Sequence, residues 1–82
     1  MPKFLDHHAA VALPAQMMQQ AVADIKAGKK NTFGIVPLNG IAGKSDAWCL
    51  LEAPNADVVH KYHEAMGIKL EKGQVYEVQT FV

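Results

Sequence analysis

Eighty-two residues, half of them apolar and a fifth charged, make an ordinary globular composition with room for one domain spanning residues 1–82. Eight basic side chains balance eight acidic ones, leaving no electrostatic footprint for nucleic acid or an anionic membrane surface. No run approaches the ~20 apolar residues of a membrane span, and the single cysteine, Cys49, excludes an internal disulfide.

The opening Met1-Pro2-Lys3-Phe4-Leu5-Asp6-His7-His8 reaches charged residues before the apolar run of a signal peptide develops, which points to the cytoplasm. Residues 3–8 read as a first strand. Residues 9–13 form a link, and Pro14 suits the first position of a helix, where its missing N–H costs nothing. Met18, Val22 and Ile25 then fall at i, i+4 and i+7 on an amphipathic helix. Gly28 stops it, and Lys26, Lys29 and Lys30 complement the negative end of its dipole.

Residues 32–38 are β-prone but interrupted by Gly34 and Pro37, so an edge strand or a bulge is expected. Residues 39–46 read as a turn-rich connection. Residues 47–52 form a better strand, whose continuous apolar run of Trp48, Cys49, Leu50 and Leu51 suits a central position covered on both faces. Asn55 is placed to cap a second helix over residues 56–66, in which Val58, Val59, Tyr62 and Met66 share one face. Gly67 ends it, and residues 75–82 form the last strand.

This order of strands and helices is the split βαβ arrangement of α+β, ferredoxin-like domains, βαββαβ. Right-handed crossovers favour an antiparallel sheet in the order 4-1-3-2 with both helices on one face. The other face has to be solvated or covered. A second copy packed face to face, giving a dimeric α+β barrel, is a common way to cover it.

Among residues that carry chemistry, Gly43-Lys44-Ser45 is set aside first. A phosphate loop needs a glycine five positions earlier, where Leu38 stands, and this segment joins two strands. Cys49, on a central strand with no adjacent base, reads as an inert buried thiol rather than a nucleophile.

The histidines are more informative. Neutral imidazole with carboxylate suits zinc, nickel or copper. Asp6 and His8, two apart on a strand, project from one face and His7 from the other. His63 borders the apolar stripe of the second helix, while His60 lies on its polar side and reads as a surface residue. In the expected fold the first strand ends where the second helix finishes and the fourth strand begins. His8, His63 and Glu77, with Glu71 in the preceding loop, then converge, and Glu52 lies at the opposite end. A divalent-metal site is therefore one reading, with His8 and His63, or His60 and His63 one helical turn apart, as candidate ligands and Asp6 and Glu77 as candidate carboxylates. Two other readings stand beside it. In one, a dimeric α+β-barrel enzyme uses His8 and Asp6 as base and orienting partner in an apolar pocket lined by Trp48 or Phe33. In the other, a small-molecule or protein-interaction module has incidental histidines.

Four segments, Phe4-Leu5-Asp6-x-His8, Trp48-Cys49-Leu50-x-Glu52-Ala53-Pro54, His63 eleven residues beyond Glu52, and Val75-Tyr76-Glu77-Val78, together resemble a family of small nickel-binding, ferredoxin-like proteins. That family was long catalogued only as a domain of unknown function. The resemblance spans nearly the whole chain. It implies a homodimer binding nickel through histidine and carboxylate, and it selects His8 and His63 over His7 and His60. The chain departs from the family in two places. A further histidine is frequent in the family's first helix, where Gln19-Gln20 stand here, and another just after the glycine that follows the second helix, where Ile68 stands.

Overall fold

In the computed structural model, residues 1–9, 15–68, 70 and 73–81 are described, apart from the side chain of Met17. The elements follow in the order β1 (Lys3–Ala9), α1 (Ala15–Ala27), β2 (Val36–Ala42), β3 (Asp46–Glu52), α2 (Ala56–Ala65) and β4 (Val75–Val78). The four strands form one antiparallel sheet in the order β2-β3-β1-β4, the expected 4-1-3-2 read from the other edge. This topology is compatible with a ferredoxin-like fold. No helix among the described residues is long and apolar enough to cross a membrane. Pro14, expected at the first helical position, residues 10–13 of the link before it and Glu71 lie outside the described residues.

β1 is the hinge of the architecture because it pairs with both β3 and β4. Its exposure alternates strictly, with Phe4, Asp6 and His8 buried and Leu5 and His7 half-buried. Successive side chains of a strand point to opposite faces, so one face of β1 carries an aromatic ring, a carboxylate and an imidazole into the interior. In register, Leu51 stands opposite Phe4 and Cys49 opposite Asp6, which places both on that same face. α2 lies over it. Val59 is fully buried and joins Phe4, Ile35, Leu51, Ala53, Ile68 and Leu70 in the core, with Val58, Tyr62 and Met66 packed against them.

Local chemistry sets the ends of α2. The Asn55 side-chain oxygen accepts a hydrogen bond from the Val58 N–H at 3.0 Å, satisfying one of the orphan donors of the first turn. Gly67, at φ +80°, takes the left-handed conformation that stops the helix. Gly28 does the same for α1 at φ +63°, its N–H reaching back to the Asp24 carbonyl at 3.1 Å. α1 packs near the edge strand β2 and leaves Met18 and Val22 about half exposed, so its apolar stripe is only partly used.

Three expectations about the strands change. The second strand starts later, at Val36, and runs through Asn39–Ala42, which had read as a connection. The cause is Asn31, whose side-chain oxygen accepts from the Phe33 N–H at 2.9 Å and the Ile35 N–H at 3.1 Å. Its backbone N–H also reaches the Ile35 carbonyl at 2.8 Å, so residues 31–35 fold into a turn with Gly34 at φ +78°. The proline signal was sound, because the β2–β3 register shifts between Pro37 and Asn39 on an edge strand. β3 is central but covered on one face only, with Trp48 and Leu50 half-buried on the other. β4 is shorter than expected and ends at Val78.

Candidate metal centre

Four potential ligand residues meet on the covered face. Asp6 and His8 come from β1, Cys49 from β3 and His63 from α2, with one donor atom from each lying within 4.8 Å of all the others. The strand period puts Asp6 and His8 side by side, and the β1–β3 register sets Cys49 directly across from Asp6. One turn of α2 beyond Val59, which anchors the helix in the core, His63 enters from above.

The distances are those of donors pointed at a common centre. His63 Nε2 is 3.2 Å from Asp6 Oδ2, His8 Nε2 is 3.5 Å from Asp6 Oδ1, and Cys49 Sγ is 3.8 Å from His8 Nε2. Asp6 and His63 are fully buried and His8 is 5% exposed. The two imidazole rings tilt against each other with centroids 5.6 Å apart, and Tyr62 meets His63 edge-on at 5.4 Å.

What lies behind each imidazole decides what faces inward. His63 Nδ1 is 2.9 Å from the Val59 carbonyl, and His8 Nδ1 is 3.0 Å from the Ala9 carbonyl. A carbonyl oxygen can only accept, so each Nδ1 carries a hydrogen and donates it. Each Nε2, in a neutral ring, then aims its lone pair at the Asp6 carboxylate. A backbone carbonyl fixing the outer nitrogen is the usual support of a metal-binding histidine. Both Asp6 oxygens and His63 Nε2 are buried with no hydrogen-bond partner among the described residues. Such atoms are rare in folded proteins, because an unpaired buried polar group loses its hydration without compensation. Acceptors facing one another at these distances need a proton or a cation between them.

Cys49 shares this environment. Burial, and then the negative charge of Asp6, pushes its thiol up to about 12 from 9.0. As a free thiol it is a poor nucleophile, in keeping with the inert character expected of it. Its position, however, places it among the four residues that could hold a metal ion, which the sequence alone did not suggest. Because the folded thiol resists ionisation that the unfolded chain undergoes near 9, stability in metal-free buffer is expected to fall as pH rises from about 9 toward 12. Alkylation of the metal-free native chain at neutral pH should be slow until denaturant is added. Rapid labelling without denaturant would show the thiol to be accessible and ionisable after all.

The other candidates are distributed elsewhere. Glu77 stands opposite Phe4 on β4, exposed, and is not one of the four converging residues. The fourth strand does begin beside Asp6, as expected, but its antiparallel run carries Glu77 toward the Lys3 end of the sheet. Glu52, opposite Lys3, is at that far end as expected. His60 is half-buried on α2 and outside the cluster.

On the open face, His7 Nε2 meets Asp46 Oδ1 at 2.8 Å while its ring stacks on Trp48 at 5.1 Å. The pairing of Asp6 and His8 as a base and its partner in an open-face pocket therefore meets a geometric obstacle. They lie under α2, and Trp48 lies on the opposite side of the sheet.

Comparison with protein-family models, curated proteins and solved structures found no match to this chain.

Proposed function

We propose that this chain is a non-enzymatic divalent-metal-binding protein that holds its ion between Asp6, His8, Cys49 and His63. The supporting observation is the meeting of two inward-facing imidazole nitrogens with a buried carboxylate whose oxygens have no hydrogen-bond partner among the described residues. A transition-metal ion accepts from all of these atoms at once and removes the conflict between them. Asp6 and Cys49, once ionised, supply the negative charge that an ion in a buried site requires.

Zinc, nickel and copper all take imidazole and carboxylate ligands, and the resemblance to the nickel-binding family adds nickel by analogy. Further expectations accompany this reading: a cytoplasmic protein, no nucleic-acid partner, and a homodimer joined through the open sheet face. Dimerisation there would cover Leu5, Trp48 and Leu50, which are half-buried, and Ile41 and Tyr76, which are exposed. A supporting carboxylate from Glu77, expected from sequence order, would require β4 to shift from its present register.

Equilibrium dialysis of the metal-free chain against Zn²⁺, Ni²⁺ and Cu²⁺, followed by elemental analysis, tests the proposal. One ion per chain is expected, with loss of binding in the double variant His8→Ala, His63→Ala. Retention of no ion by the native chain, or equal retention by the double variant, would overturn it.

A further inference from the structure

We infer that the Asp6–His8–Cys49–His63 cluster is a closed, four-coordinate site of the zinc type, which takes Zn²⁺ in preference to ions that demand six ligands, Ni²⁺ among them. The inference rests on the metal-binding reading above and goes beyond it by naming the coordination number and the ion.

The first support is the spacing of the donors. Zinc bonds of about 2.0–2.1 Å to nitrogen or oxygen and about 2.3 Å to sulfur make tetrahedral edges of about 3.3 Å for N···O and about 3.6 Å for N···S. The same bonds at octahedral right angles would bring neighbouring donors to about 2.9 and 3.1 Å. The closest contacts are 3.2 and 3.5 Å for N···O, one to each oxygen of Asp6, and 3.8 Å for N···S, all longer than the octahedral right-angle edges, and the four donor atoms lie within 4.8 Å of one another.

The second support is closure. Asp6 and His63 are fully buried, His8 nearly so and Cys49 half-buried, and the cluster holds four ligand residues from among the described His, Cys, Asp and Glu. An octahedral ion would need two more donors, from water or from the protein. Val59 is buried on the helix above, Leu51 is buried on the strand beside Cys49, and the Tyr62 ring lies against His63. Among the described His, Cys, Asp and Glu side chains, no fifth or sixth donor joins the cluster. Zinc has no preferred geometry of its own and accepts a tetrahedron without loss, whereas nickel's place in the affinity order depends on geometry and ligand type.

The donor types are the third support. Two imidazoles, one carboxylate and one thiolate form a borderline-soft set that excludes Mg²⁺ and Ca²⁺, which favour oxygen. Cys49 contributes by forming its sulfur–metal bond as the S–H bond breaks, one proton passing to solvent for each ion bound. The carboxylate and the thiolate then cancel the two charges of the ion, leaving a neutral buried centre.

Cobalt(II) is a coloured probe for such a site. Titrated into the metal-free native chain, Co²⁺ is expected to develop the intense visible bands of a four-coordinate ion together with a near-ultraviolet thiolate charge-transfer band. One equivalent of Zn²⁺ should bleach both, and roughly a tenfold excess of Ni²⁺ should not. In Cys49→Ser, with its fold checked by circular dichroism, the charge-transfer band should vanish. Weak, six-coordinate cobalt bands, or displacement of Zn²⁺ by equimolar Ni²⁺, would overturn the inference while leaving a metal-binding protein. A charge-transfer band that persists in Cys49→Ser would remove the thiolate from the shell and overturn the inference too. No ion bound at all would overturn both readings. The cobalt spectrum and the competition use the native chain, so they decide the matter even if the variant fails to fold.

Discussion

Thermal melting of the metal-free chain against the same chain with saturating Zn²⁺ is expected to show a rise in midpoint of roughly 10–30 °C. An ion that binds only the folded state stabilises it by about 2.7–4.1 kcal/mol when its free concentration is 100–1,000 times its dissociation constant. In a domain this small each kcal/mol moves the midpoint by about 4–8 °C. The ligands make the effect large, because Asp6 and His8 belong to β1, Cys49 to β3 and His63 to α2. An ion at their centre ties the helix to the two central strands, so α2 cannot lift away without breaking a metal bond. A chelator should reverse the rise, and His8→Ala with His63→Ala should abolish it. A rise of the same size in that double variant would place the ion elsewhere and sink the proposed site.

The sequence carried the fold further than it carried the site, and the difference has a physical cause. Stop signals and periodicity are local properties. Gly28 and Gly67 end the helices because their left-handed backbone is cheap for glycine, and Asn55 caps α2 through its own side chain, so each is readable in a few residues. Handedness and crossover rules then gave the sheet order. The site depends on register, which is a long-range property. Asp6 and His8 share a face by strand alternation alone, and His63 lies near them once α2 is placed over the sheet. The partner of Asp6 on β3, by contrast, is set by how the two strands slide against each other. That register selects Cys49, which had read as an inert buried thiol, and it carries Glu77 to the side of Phe4. The misplaced second strand has a different, local origin. Asn31 folds residues 31–35 through its side chain, and this outweighs the β-propensity of the segment it turns.

Asp6→Asn is expected to stabilise the metal-free chain by about 1–3 kcal/mol while removing most of the metal-induced rise in midpoint. The sign follows from who donates to whom. The Val59 and Ala9 carbonyls take the Nδ1 hydrogens of His63 and His8, so both Nε2 atoms face the Asp6 oxygens. Without an ion, the contact with His63 at 3.2 Å is either two acceptors opposed or, with a proton between them, a fully buried ion pair. Opposed acceptors are unfavourable, and the desolvation of a buried ion pair offsets much of its attraction. Asparagine keeps the shape of the side chain and turns one oxygen into an N–H donor, which can bond His63 Nε2 without burying a charge. The Cys49 thiol, 3.8 Å from His8 Nε2, is placed to donate to the other ring. The amide is, however, a weak metal ligand without charge, so the ion loses both a bond and half of its counter-charge. Urea denaturation in chelator and in excess Zn²⁺ should therefore invert the ranking, with Asp6→Asn the more stable protein without metal and the native chain the more stable with it. If metal-free Asp6→Asn were instead less stable than the native chain by more than about 1 kcal/mol, Asp6 would be a structural ion-pair partner of the histidines. The buried carboxylate would then be explained without any metal.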